Sequence, residues 1–386
     1  MIPYGRQDIN QSDIDAVVAV LQSDFLTQGP VVPSFEEAVA SYCGAKYAVA
    51  VNSATSALHI ACLALGVGKG DIVWTTPITF VASANCALYC GAIIDFVDID
   101  ACTYNISIDR LSEKLAAAKK IGKLPKALIP VHLCGQPCDM AAIYELGKKY
   151  GFKIIEDASH AIGSRYRGTP IGSCKYSDIT IFSFHPVKII TTGEGGMSIT
   201  NDAVLANKMS LLRSHGITRN ESEMTHASEG SWYYQQIDLG YNYRITEIQA
   251  ALGLSQMQRL DEFVTKRHAV ANRYDSLLAG LPLQTPVRTD DSYSAFHLYV
   301  IRLSLSRIDK THSQIFELLR KTSIGVNLHY IPVYHHPYYK KLGFNEGYCT
   351  EAENYYSEAI SLPLYPSLTA LEQDKVVAAA REAIAS

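Results

Sequence analysis

Between residues 47 and 157, short apolar runs alternate with segments of helical spacing, and this alternation limits the fold more than any other feature. Tyr47–Val51 and residues 71–75, 93–97, 126–131 and 152–157 are strand-length, with apolar centres and their charged residues mainly at the ends. Residues 53–65, 80–89, the stretch around Leu111 and Leu115, and Met140–Tyr150 lie between them with helix-like patterning. A strand that is apolar on both faces is buried on both faces. Strands separated by helices join as parallel neighbours. The expected class is α/β: a large domain with a mainly parallel mixed sheet sandwiched by helices.

Local signals mark several boundaries. Ser12 with Asp15, and Ser34 with Glu37, have capping-box spacing at two helix starts. Gly66 ends the helix that begins at Ser53. From Asp202 the pattern turns helical, with Leu205, Met209 and Leu212 on one face, then helices over 245–256 and 260–278. The polar stretch 218–230 lacks a period and reads as a surface loop. Beyond Pro286 a smaller α/β part is expected: strand 296–303, helix 311–321, strand 325–328, and helices near 351–360 and 371–385. The expected division is 1–257 for the large domain, and 258–386 for a long connecting helix with a small C-terminal domain.

Charge and cysteine use narrow the function. The net charge of the 386-residue chain is −4, with no basic cluster, which argues against nucleic acid. No run of 18 apolar residues exists, and the N-terminus MIPYGRQDIN has no apolar signal core. That argues against a membrane and for the cytoplasm. The nine cysteines are scattered without a CxxC, as expected of reduced thiols. Cys86/Cys90 and Cys134/Cys138 lack a second pair at zinc spacing, so no metal is expected.

The chemistry concentrates around Lys188, in FSFHPVKIITTGEGGM. It follows an apolar strand, 179–184, and precedes a Thr/Gly run with Gly193, Gly195 and Gly196. A lysine at a buried strand end is desolvated, its pKa falls, and a neutral amine suits imine chemistry. Thirty-one residues upstream, Asp157 ends another apolar strand. A lysine and an acid on two strand ends are what pyridoxal phosphate (PLP) requires. Val51-Asn52-Ser53-Ala54-Thr55-Ser56 is a strand-to-helix turn whose free N–H groups suit a phosphate dianion. Capping by Ser53 is its simpler reading. Phe80 suits stacking on a pyridine ring or plain core packing. Asp157 suits a pyridinium partner or a helix cap, and His160 a cofactor contact or the surface. Ser183 suits a phosphate ligand or a hydroxyl satisfied within its strand, and His185 stays open between site and structure. GVGKGD (66–71) follows a helix and precedes a strand, the wrong order for a dinucleotide site.

These residues sit in motifs that resemble the DegT/DnrJ/EryC1/StrS family of sugar-nucleotide aminotransferases, with the aspartate-aminotransferase-like (type I PLP) fold. The resemblance runs nearly end to end, through SDFLTQGP, NSATSALH, TPITFVASAN, IIEDASHAIG, FSFHPVK, TTGEGGM, LRSHGI and GYNYRITEIQAALG. The variants FHPVK, WYYQQ and VNLHYIPVY resemble the branch that makes UDP-4-amino-4,6-dideoxy-N-acetyl-β-L-altrosamine for pseudaminic acid. The resemblance implies that Lys188 forms the Schiff base and Asp157 partners the pyridinium. It places His160 near the phenolic oxygen, Phe80 on the ring, and Ala54, Thr55 and Ser183 on the phosphate. Asn242 would reach the phosphate of a neighbouring subunit, so a homodimer would share its sites. Thr27, Arg244, His329 and Tyr330 would face the sugar nucleotide. The implied reaction moves an amino group from L-glutamate, leaving 2-oxoglutarate, through pyridoxamine phosphate (PMP), to carbon 4 of a UDP-4-keto-6-deoxy-N-acetylhexosamine. A dTDP- or GDP-linked ketosugar is the nearest alternative. A PLP-binding regulator without turnover would bring a DNA-binding segment, and none is evident. A dehydratase of this family carries His where Lys188 stands.

Overall fold

The computed structural model describes residues 1–385. In chain order the first elements are α1 (Gln11–Leu21), α2 (Val31–Cys43), β1 (Tyr47–Val51), α3 (Ala54–Ala64), β2 (Ile72–Thr75), α4 (Ala82–Tyr89), β3 (Ile93–Phe96), α5 (Ile108–Lys120), β4 (Ala127–Ile129), α6 (Met140–Tyr150) and β5 (Lys153–Asp157). Then come β6 (Arg165–Tyr166), β7 (Thr169–Pro170), β8 (Ile179–Ser183), β9 (Gly196–Thr200), α7 (Ala203–Arg213), β10 (Ile217–Thr218), β11 (Gln235–Gln236), α8 (Glu247–Met257) and α9 (Leu260–Leu277). The last are β12 (Leu283–Gln284), β13 (Ser292–Tyr293), β14 (Tyr299–Leu303), α10 (His312–Lys321), α11 (Pro337–Lys340), α12 (Thr350–Glu358), β15 (Ala359–Leu362) and α13 (Ala370–Ile384).

The main sheet has seven strands in the order β1-β9-β8-β5-β4-β2-β3. All run parallel except β9, which is antiparallel to both β1 and β8. Alternate side chains of each strand feed opposite cores. Val49, Val73, Ile129, Ile155 and Ile181 pack with α3, α4 and α7 on one face. Ala50, Trp74, Leu128, Ile154 and Phe182 pack with α2, α5, α6 and α8 on the other. This is why the strands carry no polar alternation. A second sheet, β12-β14-β15, packs with α10 and α13 around Tyr299, Ile301, Ile315 and Val376. Helix α9 joins the two cores, giving Phe263 and Val264 to the first and Val270 and Tyr274 to the second.

Several expectations need correction. The box of α1 is Asn10 with Asp13, not Ser12 with Asp15. Helix α2 begins at Val31, so Ser34 is interior and its hydroxyl binds the Pro30 carbonyl at 3.0 Å. Its local N-cap, Pro30, makes no side-chain bond. Instead the fully buried Glu247 accepts from the N–H groups of Gly29, Val31 and Val32 at 2.9, 2.6 and 3.4 Å. A distant carboxylate thus satisfies donors that a helix start leaves orphaned. Residues 325–328 form no strand, only a bridge from Asn327 to Ser361. The pairing strand there is β15, whose first two residues, Ala359 and Ile360, read by pattern as the end of a helix. The run after Lys188 hides β9, whose glycine start weakens its strand pattern. The polar loop after Thr218 is as expected, and β10 and β11 on either side of it form a short antiparallel pair.

Candidate active site

The C-terminal edges of parallel strands face the place where α/β ligands bind. Here that edge collects the end of β1 and start of α3, the turn between β2 and α4, and the segments after β4, β5 and β8.

Asp157 ends β5 and is buried. Its Oδ2 accepts from the Ser83 hydroxyl at 2.6 Å and its Oδ1 from the Ser159 N–H at 3.1 Å. Each carboxylate oxygen keeps a lone pair free. Lys188 lies in the turn after β8, its backbone N–H donating to the His185 carbonyl at 2.9 Å. The residue is half-buried. Burial lowers its pKa to about 8, and the charge of Asp157 offsets part of that fall. At pH 7, roughly a tenth of such an amine is neutral.

His160 is buried beside them. Its Nδ1 accepts from the Cys134 N–H at 3.3 Å, which leaves the neutral ring's proton on Nε2. That Nε2 faces the Tyr330 hydroxyl at 3.2 Å. Burial, then the charge of Lys188, then His329 hold its pKa well below the usual histidine value. Burial and Lys188 likewise push His329 down to about 3, and its Nδ1 pairs with the Ser361 hydroxyl at 2.7 Å. Burial raises the Tyr330 phenol. The exposed Phe80 ring lies 6.3 Å from that of Tyr330. Ser183 pairs with Gly196 across β8 and β9 and is nearly buried.

Ser53 does cap α3, its hydroxyl accepting from the Ser56 N–H at 3.2 Å. The N–H groups of Ala54 and Thr55 keep no partner among the described residues, and neither does the Thr55 hydroxyl. The simple and the chemical readings of this turn therefore coexist. A Cβ on Gly196 would meet the Ala54 nitrogen at 2.4 Å, so only glycine lets β9 lie this close to the α3 start.

Three expected residues stand apart from this group. Thr27 and Asn242 are exposed. Arg244 lines a pocket of about 220 Å³ with Gln28, Pro33, Arg213 and Ser214. The side chains of all three make no hydrogen bond or ion pair among the described residues. His185 is exposed, its Nε2 4.0 Å from Glu194. Sequence reasoning missed Ser83, Thr79 and His297. His297 packs tilted against His160, with ring centroids 4.3 Å apart, and its Nδ1 is buried without a partner among the described residues. Ser83 had one readable signal, a four-residue spacing from Thr79 at the start of α4.

A lysine and a buried acid on adjacent strands, above a helix start with free donors, are the floor of a PLP-type site, and the chain belongs to the DegT/DnrJ/EryC1/StrS aminotransferase family, matched over residues 7–381. It is a PLP-dependent sugar aminotransferase by family, and solved members include PLP and PMP forms. The chain is 41% identical over 386 residues to the spore coat polysaccharide biosynthesis protein SpsC of Bacillus subtilis, covering 99% of this chain and 97% of that one. It is 41% identical over 370 residues to the UDP-4-amino-4,6-dideoxy-N-acetyl-beta-L-altrosamine transaminase of Campylobacter jejuni, covering 95% and 93%. The solved structure of Helicobacter pylori PseC, an aminotransferase involved in the biosynthesis of pseudoaminic acid, superposes with a TM-score of 0.89 at 32% identity, covering 99% of each chain. No helix among the described residues is long and apolar enough to cross a membrane.

The residues present fit PLP. Free donors at Ala54 and Thr55 suit its phosphate, the half-free Asp157 carboxylate its ring nitrogen, and the Lys188 amine its aldehyde.

Proposed function

We propose that the protein moves an amino group from L-glutamate to carbon 4 of a UDP-4-keto-6-deoxy-N-acetylhexosamine. The products are 2-oxoglutarate and UDP-4-amino-4,6-dideoxy-N-acetyl-β-L-altrosamine. The observation that carries the reading is Lys188 just after β8, with the buried Asp157 at the end of the adjacent strand β5. Likeness to the altrosamine transaminase and to PseC supports the choice of sugar.

PLP, when bound, supplies an electron sink. Lys188 holds it covalently between turnovers. Once freed, the Lys188 amine takes the α-proton of glutamate as a general base. In the sugar half-reaction it returns a proton to carbon 4 as a general acid. Asp157 would face the ring nitrogen and orient the ring through it. His160, neutral, offers Nε2–H towards the phenolic oxygen and Tyr330. Ala54, Thr55 and Ser183 bind the phosphate, and Phe80 covers the ring. Thr27, Arg244, His329 and Tyr330 form the sugar-nucleotide side.

The protein works as a homodimer in this reading, with Asn242 reaching the neighbour's phosphate. Its exposed position without an internal partner supports this, as do the exposed Trp232 and Leu239 around β11. Residues 1–257 form the cofactor-binding part, and 258–386 the connecting helix and small domain. The equal identity to SpsC favours a second reading, the same chemistry on another UDP-, dTDP- or GDP-linked ketosugar. Purified protein with glutamate and a panel of such ketosugars, with products identified by NMR, separates the two. No 4-amino product from any UDP-4-keto sugar overturns the first reading.

A further inference from the structure

We propose that Ser83, oriented by Thr79, is a positioning residue that donates to Asp157 and so keeps the proton shared between Asp157 and the PLP ring nitrogen on the ring. The inference rests on the reading of Asp157 as the ring's partner.

The three side chains form one buried line. Asp157, Ser83 and Thr79 are 4%, 0% and 3% exposed. The Ser83 hydroxyl lies 2.6 Å from Asp157 Oδ2, across 74 residues of sequence, and 2.7 Å from the Thr79 hydroxyl. Counting hydrogens fixes the direction of donation. An ionised carboxylate only accepts, so Ser83 donates to it. Ser83 has a single hydroxyl proton. Its other available acceptor, the Phe80 carbonyl at 3.3 Å, is longer and uncharged. Thr79 must therefore donate to Ser83. The line runs Thr79 to Ser83 to Asp157, and each donation polarises the next.

This arrangement does more than cap a helix. A serine in the first turn of α4 has the Phe80 carbonyl as its local partner, yet its short bond goes to β5. Donors to the charged form of an acid favour that form. With Ser83 on Oδ2 and the Ser159 N–H on Oδ1, the charge is stabilised at both oxygens. A carboxylate so held leaves the shared proton on the ring nitrogen, where the electron sink needs it. Thr79 directly precedes Phe80, so one turn carries both the aromatic cover and the support for Asp157.

The test is the ¹⁵N NMR signal of the ring nitrogen in holoenzyme loaded with ¹⁵N-labelled PLP. The unaltered protein should give the signal of a protonated ring. Ser83→Ala should move it towards the unprotonated value, and slow the single-turnover reaction with glutamate by about tenfold, as loss of one hydrogen bond to a charged group implies. Thr79→Val should move it the same way by less, and Thr79→Ser, which restores the hydroxyl, should not. Ser83→Ala with Thr79→Val should equal Ser83→Ala alone, since the second link acts only through the first. If Ser83→Ala does not retain PLP, Thr79→Val decides, because it leaves the direct donor in place. Asp157→Asn runs alongside. If Asp157→Asn moves the signal and the Ser83 or Thr79 variant does not, this inference fails alone. If Asp157→Asn leaves it unmoved, the ring-partner reading falls, and this inference with it.

Discussion

Asp157, His160 and their supports occupy strand ends and buried turns, whereas Thr27, Asn242 and Arg244 lie on open segments around the same edge of the sheet. On the floor, Asp157 has two donors, and both nitrogens of His160 have partners. On the rim, none of the three side chains has a partner among the described residues. A buried polar group left unpaired costs far more than an exposed one, so folding itself pairs Asp157 and His160. The rim carries no such penalty, and a ligand or a second subunit can complete it. The pairing of Asp157 and His160 is thus a property of one chain, while the rim side chains are left unpaired by it.

The largest effect should come from Lys188. Lys188→Ala should lose on the order of 10⁴-fold in turnover, the upper range for a positioned general base. Borohydride should fix PLP onto Lys188 in the unaltered protein and onto no residue in the variant, by peptide mass spectrometry. A fixed cofactor on another lysine breaks the assignment of the floor.

Asp157→Asn should keep PLP bound but slow the glutamate half-reaction on the order of 10²-fold, as loss of one preorganised charge does elsewhere. A near-normal single-turnover rate would leave Asp157 as a turn residue only.

Glu247 bears on where floor and rim join. It is buried like a floor residue, yet it anchors the segment that leads from Thr27 into α2. Glu247→Ala orphans three backbone donors and should cost about 1.5–3 kcal/mol, measured by urea unfolding. An unchanged midpoint would mean that the rim segment needs no internal anchor.

The lowered pKa of Lys188 gives a pH test of burial. The neutral amine is the form that captures PLP. Capture by the cofactor-free protein should rise about tenfold above pH 7 and level off beyond about pH 8, followed by absorbance. A rate still climbing at pH 10 would mean an amine in water rather than on a buried floor.

The smallest single effect should be at the rim. Asn242→Ala should weaken PLP binding a few-fold, the scale of one hydrogen bond. At PLP well below its dissociation constant, a mixed dimer with Lys188→Ala has one site with both residues intact against two sites each weakened more than twofold, and should be more active than either parent. A defective Asn242→Ala whose verified mixed dimers gain nothing returns Asn242 to its own subunit.

Much of the floor is legible in the amino-acid sequence. Apolar runs locate β1, β2, β5 and β8, and the residues at or just beyond their ends, Thr55, Phe80, Asp157 and Lys188, fall on the ligand-binding edge. β9 is not legible, because a Thr/Gly run opens it and its partners are chosen by the sheet. β15 is lost because it follows α12 without a break. Ser12 and Ser34 have capping spacing but the wrong partners, since caps compete with any acceptor that folding brings near.

The sequence by itself determined the class, the alternation of strands and helices up to Asp157, and the choice of Lys188 and Asp157 as candidate amine and acid. Those depend on periodicity and on chemistry carried within a few residues. Only the tertiary structure decided that Glu247 caps α2 from over two hundred residues away, and that Cys134 sets the His160 tautomer. The same holds for the bond that joins Ser83 to Asp157. Each is a hydrogen bond between groups that meet only after burial has removed water as the competing partner, and no local pattern encodes that meeting.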